Sequence, residues 1–290
     1  MEENRAKGLM LALATFVMWG VFPIFFKLIK DVDAVQILAH RVVWSFLLLL
    51  VFLCFAHRLK NVVRLLSTPQ IALTLLCTGL LISTNWGIYI YAVNSDQILA
   101  TSLGYFINPL FSVLLGALFL RERLSAAAKF SLLLAFAAIG VQIYALGRLP
   151  IISLVLPLSF AFYGLIRKKV KVPSFEGLFC ETTLMLLPAL AFLIYCALKG
   201  SGAFGFNVSS ALLFASGLIT ILPLLTFAVS TQYLPLSTIG FMQYISPSMS
   251  MLIAVFIYGE ELETYKILSF SLIWFGLAVV GLDGLRRKNG

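Results

Sequence analysis

Ten long apolar stretches, parted by polar joints too short to fold on their own, constrain this chain more than any other feature. They run over approximately 8–29, 34–56, 70–93, 97–119, 128–146, 150–166, 176–198, 208–231, 236–258 and 265–283. A helix needs roughly 20 apolar residues to cross a hydrocarbon core about 30 Å thick. Most stretches supply them, and 150–166 needs help from flanking side chains. Hydrophobic residues make up 61% of the chain and charged ones 11%, too apolar a surface for a soluble fold to hide. A transmembrane barrel would instead show short alternating segments. We therefore expect an all-α integral membrane protein of ten transmembrane helices. Residues Met1 to Lys7 are a polar start, and the stretch after them is too long for a signal peptide's apolar region, so it reads as the first helix.

The net charge of +9 could suit nucleic acid, but its placement points to a bilayer. With both termini in the cytoplasm, fifteen of the 21 lysines and arginines fall on the inner side, among them Arg58, Arg121, Arg123, Arg167, Lys168, Lys169 and Arg286. Lys27, Lys30, Arg148, Lys199 and Lys266 fall outside, and Arg41 lies within a span. This asymmetry satisfies the positive-inside rule and turns the basic excess toward anionic lipid. No nucleic acid partner is expected. The cysteines Cys54, Cys77, Cys180 and Cys196 lie in apolar spans without metal-ligand spacing, so they read as inert buried thiols. Neither a metal nor a cofactor is expected.

A second pattern runs through the stretches. Gly79, Pro109 and Glu122 recur 138 residues later as Gly217, Pro247 and Glu260. Ala92-Val93 recurs as Ala228-Val229 after a slip of two residues. The first glutamate sits in Arg121-Glu122-Arg123, the second in Gly259-Glu260-Glu261-Leu262-Glu263, so one loop is basic and its copy acidic. Five helices per copy is an odd number, which inverts the second copy relative to the first. The expected halves are 1–147 and 148–290. Inverted repeats in a membrane usually signal a transporter whose site lies between the halves near the midplane.

Several segments carry a resemblance: Trp19-Gly20 with Lys27, His40-Arg41-Val42-Val43-Trp44-Ser45-Phe46, and Ser102 to Leu110. Phe160 to Lys169, Gln243-Tyr244-Ile245-Ser246-Pro247 and Tyr258-Gly259-Glu260 complete it. On these the chain resembles the drug/metabolite transporter superfamily, specifically its EamA-type ten-helix members, and within them is similar to the bacterial RarD proteins. The resemblance spans nearly the whole chain. It implies a multi-pass carrier of small organic molecules in the bacterial inner membrane. The "chloramphenicol-sensitive" label of the RarD group names a phenotype rather than a substrate.

Ionisable residues inside spans are functional candidates, because burying one costs at least about 2.5–3.5 kcal/mol. His40 and Arg41 lie about six residues into the second span, with Trp44 one turn below His40. They suit a substrate or proton site; the alternative is that Arg41 snorkels to the outer interface. Glu181, near the cytoplasmic end of the seventh span, could carry a proton, bind a substrate amine or cap a turn. Lys27 is a site candidate or a snorkelling cation, on roughly the same face as Trp19. Pro109 and Pro247 are expected to kink their helices near mid-span and offer backbone acceptors to a cavity, beside Asn108 and Ser246. Asn85, Trp86 and Tyr89, then Tyr105 and Asn108, then Gln243 and Tyr244 line their helices with polar and aromatic groups suited to a pocket or to interhelical hydrogen bonds. Tyr163 stands in the second copy where Trp19 stands in the first.

The chain has no nucleotide loop, HExxH pair or nucleophile elbow, so transport would run on an ion gradient or the substrate's own. The expected partners are a small-molecule substrate, the lipid bilayer and protons as candidate coupling ion. The expected function is secondary transport of an amino acid, a related zwitterionic metabolite or an amphenicol-like drug by alternating access. His40, with an ordinary pKa near 6.5, is the group best placed to sense external pH. One alternative is an intramembrane enzyme using His40 and Glu181. About 12 Å along the membrane normal would then part them, too far for direct proton relay. Another is a non-transporting membrane subunit, which would leave the inverted repeat without a purpose.

Overall fold

A computed structural model describes residues 2–121, 124–170, 172–205, 207–234 and 242–289. Every regular element among them is a helix. The first apolar stretch forms two pieces, α1 (Glu2–Gly20) and α2 (Phe22–Lys27), parted at Val21 with Pro23 in the first turn of α2. Proline lacks the N–H that would continue α1 and is tolerated where a helix begins. Helix α3 (Ala34–Phe55) starts where the Asp33 carboxylate accepts from the amides of Val35 and Gln36, at 2.9 and 3.2 Å. Such a cap satisfies two of the amides that a helix start leaves unpaired.

A short helix follows in the joint between the second and third apolar stretches, α4 (Leu59–Leu66). Its apolar residues Leu59, Val62, Leu65 and Leu66 pack on the bundle, opposite Lys60 and Arg64, as in helices that lie in a membrane interface. Then come α5 (Pro69–Asn94), α6 (Ile98–Leu120), α7 (Ala126–Leu146), α8 (Ile151–Val170), α9 (Ser174–Leu198) and α10 (Val208–Tyr233). The last two are α11 (Ile245–Phe256) and α12 (Thr264–Asn289). Among the described residues eight helical segments are long and apolar enough to span a membrane, and Ile151–Arg167 and Ile245–Phe256 are shorter apolar helices.

Helix α3 packs between α9 and α10, α5 lies against α8 and α9, and α1 lies against α10 and α11. Helix α6 contacts α8 and α11, while α7 pairs with α12 at the side of the bundle. Large apolar side chains such as Met10, Leu187 and Phe256 face outward, as a lipid-facing surface requires. Phe26, Phe106, Ile107 and Ile273 fill the interior.

Small residues set the closest approaches. A Cβ on Gly217 of α10 would lie 2.7 Å from the Trp44 Cβ and 2.9 Å from its backbone carbonyl carbon, on α3. The same atom on Gly79 of α5 would meet Glu181 of α9 at an ordinary 3.4 Å. Serines cross-link helices as well. Ser131 of α7 donates to the Gly276 carbonyl of α12 at 2.6 Å, and Ser269 of α12 donates back to the Ala138 carbonyl at 3.1 Å.

Candidate functional site

Arg41 is the most deeply enclosed cation in the described interior, 4% exposed although it lies near the start of α3. Its guanidinium lies over the Trp86 ring of α5, 4.1 Å from the centroid, with the Phe26 and Phe22 rings of α2 at 5.7 and 6.0 Å. Arg41 Nε donates to Thr220 Oγ1 of α10 at 2.7 Å. The Thr220 hydroxyl in turn donates to the Ser216 carbonyl at 2.8 Å, so its oxygen is aimed at the arginine. No carboxylate of the described residues forms an ion pair with Arg41. The alternative reading, in which Arg41 snorkels to the interface, does not match this placement: the side chain turns into the bundle, where stacking on an aromatic face recovers part of the cost of burial.

Around it stand the polar groups singled out on α5 and α6. Asn85 Nδ2 donates to the Leu156 carbonyl at 2.8 Å and to Ser159 Oγ at 3.0 Å on α8, and its Oδ1 accepts from the Tyr105 hydroxyl at 3.1 Å. The Tyr105 and Tyr89 rings lie 5.8 Å apart, and Tyr89 meets Phe26 edge-on at 6.0 Å. Asn85, Trp86, Tyr89, Tyr105 and Arg41 thus form one aromatic, hydrogen-bonded region.

His40 and Trp44 belong elsewhere. Consecutive helical residues diverge by about 100°, and His40 stacks on Phe204, in the segment after α9, at 5.3 Å. Trp44 packs on the same Phe204 at 5.7 Å and on Phe214 of α10 at 5.0 Å, and its buried Nε1 has no hydrogen-bond partner. The expected His40–Arg41 pair does not converge on one point.

Glu181 anchors a second polar cluster. It is 1% exposed; Oε1 accepts from Thr78 of α5 at 2.7 Å, and Oε2 accepts from the Tyr163 hydroxyl of α8 at 3.4 Å. Arg167 Nε of α8 lies 3.7 Å from Oε1. By its place in the sequence Arg167 belongs to a cytoplasmic basic run, whereas α8 extends through it and turns the side chain inward. Gly177, one turn before Glu181, makes the room: a Cβ there would collide with the Arg167 guanidinium. Beside this cluster Arg58 approaches Glu176 at 3.5 Å.

The remaining candidates are dispersed. Lys27 pairs with the Asp96 carboxylate and lies 5.4 Å from the Tyr258 ring centroid. Nearby, both carboxylate oxygens of Glu260 accept from the first amides of α6, those of Ile98 and Leu99, at 2.6 and 2.8 Å. Its repeat counterpart Glu122 lies outside the described residues, as does the 236–241 part of the ninth stretch. Trp19 packs against Phe16 and Phe227, and Tyr244 stacks on Phe106 at 6.0 Å. Gln243 is half-buried, and the Asn108 Oδ1 is buried without a partner.

The prolines differ from the expectation. Pro109 lies within α6, but Pro247 sits in the first turn of α11, where a missing amide costs little. Pro157, Pro188 and Pro223 are also inside helices, so an internal proline does not mark the repeat positions alone. Sequence reasoning missed Thr78, Phe204, Thr220 and the inward role of Arg167. A signal for two of them was present: Thr78 adjoins the repeat glycine Gly79, and Thr220 follows Gly217 by three residues, on the same helical face.

The sequence model of the EamA-like transporter family matches residues 6–144 and again 149–282. An uncharacterized transporter of Vibrio cholerae is 43% identical over 290 residues, 99% of this chain and 96% of that protein. The protein RarD of Escherichia coli is 41% identical over 289 residues, 99% and 98% of the two chains. The uncharacterized transporter YojE of Bacillus subtilis is 39% identical over 291 residues, again 99% and 98%. A solved crystal structure aligns with a TM-score of 0.61 over 96% of this chain and 98% of that one, at 17% identity, which speaks for the fold alone.

Proposed function

The chain belongs to the EamA-like transporter family, a multi-pass bacterial membrane transporter, and from that premise we propose how it is built and what it moves. It crosses the inner membrane ten times, with both termini in the cytoplasm, as two inverted five-helix repeats, 1–147 and 148–290. Alternating access between them carries a small organic solute: an amino acid, a related zwitterionic metabolite or an amphenicol-like drug. A proton gradient is the candidate driving force.

Support for the repeats comes from reciprocity. Ser131 and Ser269 are 138 residues apart, and so are the carbonyls they reach, Ala138 and Gly276. A contact from i to j repeated from i's partner to j's partner is what a two-fold relation produces. The two separate family matches run the same way.

The observation that carries the transport site is Arg41, a cation buried among aromatic rings and held by Thr220, with Asn85, Tyr89 and Tyr105 alongside. Intramembrane charges without a structural partner mark substrate and ion pathways. The enzyme alternative loses ground because His40 faces Phe204 while Glu181 is engaged by Arg167. Reconstitution into proteoliposomes with labelled amino acids and amphenicols tests the reading: saturable flux of at least one is expected, and no flux of any with folded protein refutes it. A reporter active only in the cytoplasm should work when fused after Lys288 and fail near Glu261; equal activity at both sites defeats the inverted arrangement.

A further inference from the structure

Two of the buried ionisable groups among the described residues, Glu181 and Arg41, are unequal. Glu181 is neutralised within the chain: one oxygen receives Thr78 and faces Arg167, and the other receives Tyr163. Arg41 has a hydroxyl on Nε, an aromatic face beneath it and no carboxylate within ion-pair distance among the described residues. Of these two, Glu181 is answered from within the chain and Arg41 is an open cation.

The open cation is also oriented. Thr220 spends its own proton on the Ser216 carbonyl and so can only accept from Arg41. Trp86 fixes the plane of the guanidinium from one side. What remains is the edge carrying the two Nη groups, whose parallel N–H bonds match the two oxygens of a carboxylate. Phe22, Phe26 and Trp86 supply apolar walls that keep water from screening such a contact.

We propose that the transported solute supplies the missing anion: a carboxylate-type group on the Nη edge of Arg41, with an apolar or aromatic body against the surrounding rings. An ammonium group is not required: Glu181 is already paired with Arg167, and Glu176, the other buried acid of the described residues, faces Arg58 at 3.5 Å. The proposal rests on the reading of the chain as a transporter of a small organic solute, and it narrows that solute from zwitterions and neutral drugs to organic anions. Simple carboxylates bind at least as well as the matching amino acids.

The test uses the full chain in lipid nanodiscs, with binding read by calorimetry and tryptophan fluorescence. A panel of aromatic and aliphatic monocarboxylates is compared with their amides and amines, for example phenylacetate, phenylacetamide, phenethylamine and phenylalanine. Carboxylates should bind about tenfold or more tightly than their amides, the loss expected for a hydrogen bond to a charged group. Phenylalanine should bind no tighter than phenylacetate. Arg41→Gln should abolish the preference for carboxylate over amide, Arg41→Lys should keep part of it, and Glu181→Gln should leave it in place. The proposal is overturned if no carboxylate binds saturably, if amides match carboxylates, or if the preference survives in Arg41→Gln. The wild-type comparison decides even where that variant fails to fold. Carboxylates that bind but are never carried in proteoliposomes would defeat the transport reading and leave the anion site standing. Flux of neutral solutes that no carboxylate inhibits would do the reverse.

Discussion

The α7–α12 pair and the central helices α3, α5, α9 and α10 use the same 138-residue spacing in different ways. At α7–α12 the chemistry repeats with the geometry: serine to carbonyl in one direction, serine to carbonyl in the other. In the centre the geometry repeats and the chemistry parts company. Gly217 lets α10 approach Trp44, and Gly79 lets α5 approach Glu181, at nearly equivalent positions of α3 and α9. One copy thus places an indole, packed on Phe204 and Phe214, where the other places a carboxylate held by Thr78, Tyr163 and Arg167. A pair at the side of the bundle need only hold helices together, and one solution serves both copies. The central positions face the interior, where a charge stands on one side and an aromatic ring on the other.

The comparison breaks hardest at the carboxylate. Glu181→Ala should destabilise the protein by about 3 kcal/mol, because it leaves Arg167 without its buried partner, whereas Trp44→Phe at the corresponding place should cost about 1 kcal/mol. Thermal unfolding in detergent measures both, and Glu181→Gln combined with Arg167→Gln should recover much of the loss. Equal effects at the two sites would mean that the charge pair is incidental.

The glycines should separate next. Gly217→Ala forces a methyl group against the Trp44 backbone and should cost about 1–3 kcal/mol through overpacking. Gly79→Ala meets Glu181 at 3.4 Å and gains helix propensity, so its stability should be unchanged or slightly raised. The same unfolding midpoints decide it, and a large loss at Gly79 would show that the two approaches are equally tight.

The smallest effects belong to α7–α12, where sameness is the prediction. Ser131→Ala and Ser269→Ala should each lower stability by about 0.6 kcal/mol, the average for interhelical hydrogen bonds in membranes. Values differing by more than about 1 kcal/mol would make the reciprocity a coincidence of contacts.

Much of this was legible without coordinates. Apolar runs of helical length, the recurrence of Gly79 at Gly217 and the polar residues of α5 and α6 are all local features, and Asn85, Trp86, Tyr89 and Tyr105 do assemble around Arg41. Other assignments depended on which side a helix presents. His40 and Arg41 are neighbours in the chain but face different helices, and Pro247 looked like a mid-span kink because nothing in the apolar run indicated where α11 begins.

The sequence by itself determined that the chain is helical and built for a bilayer, and it carried a repeat at a fixed spacing. The bilayer enforces these properties on each segment separately, since every backbone amide must be satisfied within its own helix. Only the tertiary structure decided which charges are answered. Arg41 meets Thr220 across 179 positions and Glu181 meets Thr78 across 103, while Arg167 turns inward because Gly177 leaves it space. Partnerships of that kind follow from how helices are rotated against one another, and rotation is set by packing over the whole bundle rather than by any local run of residues.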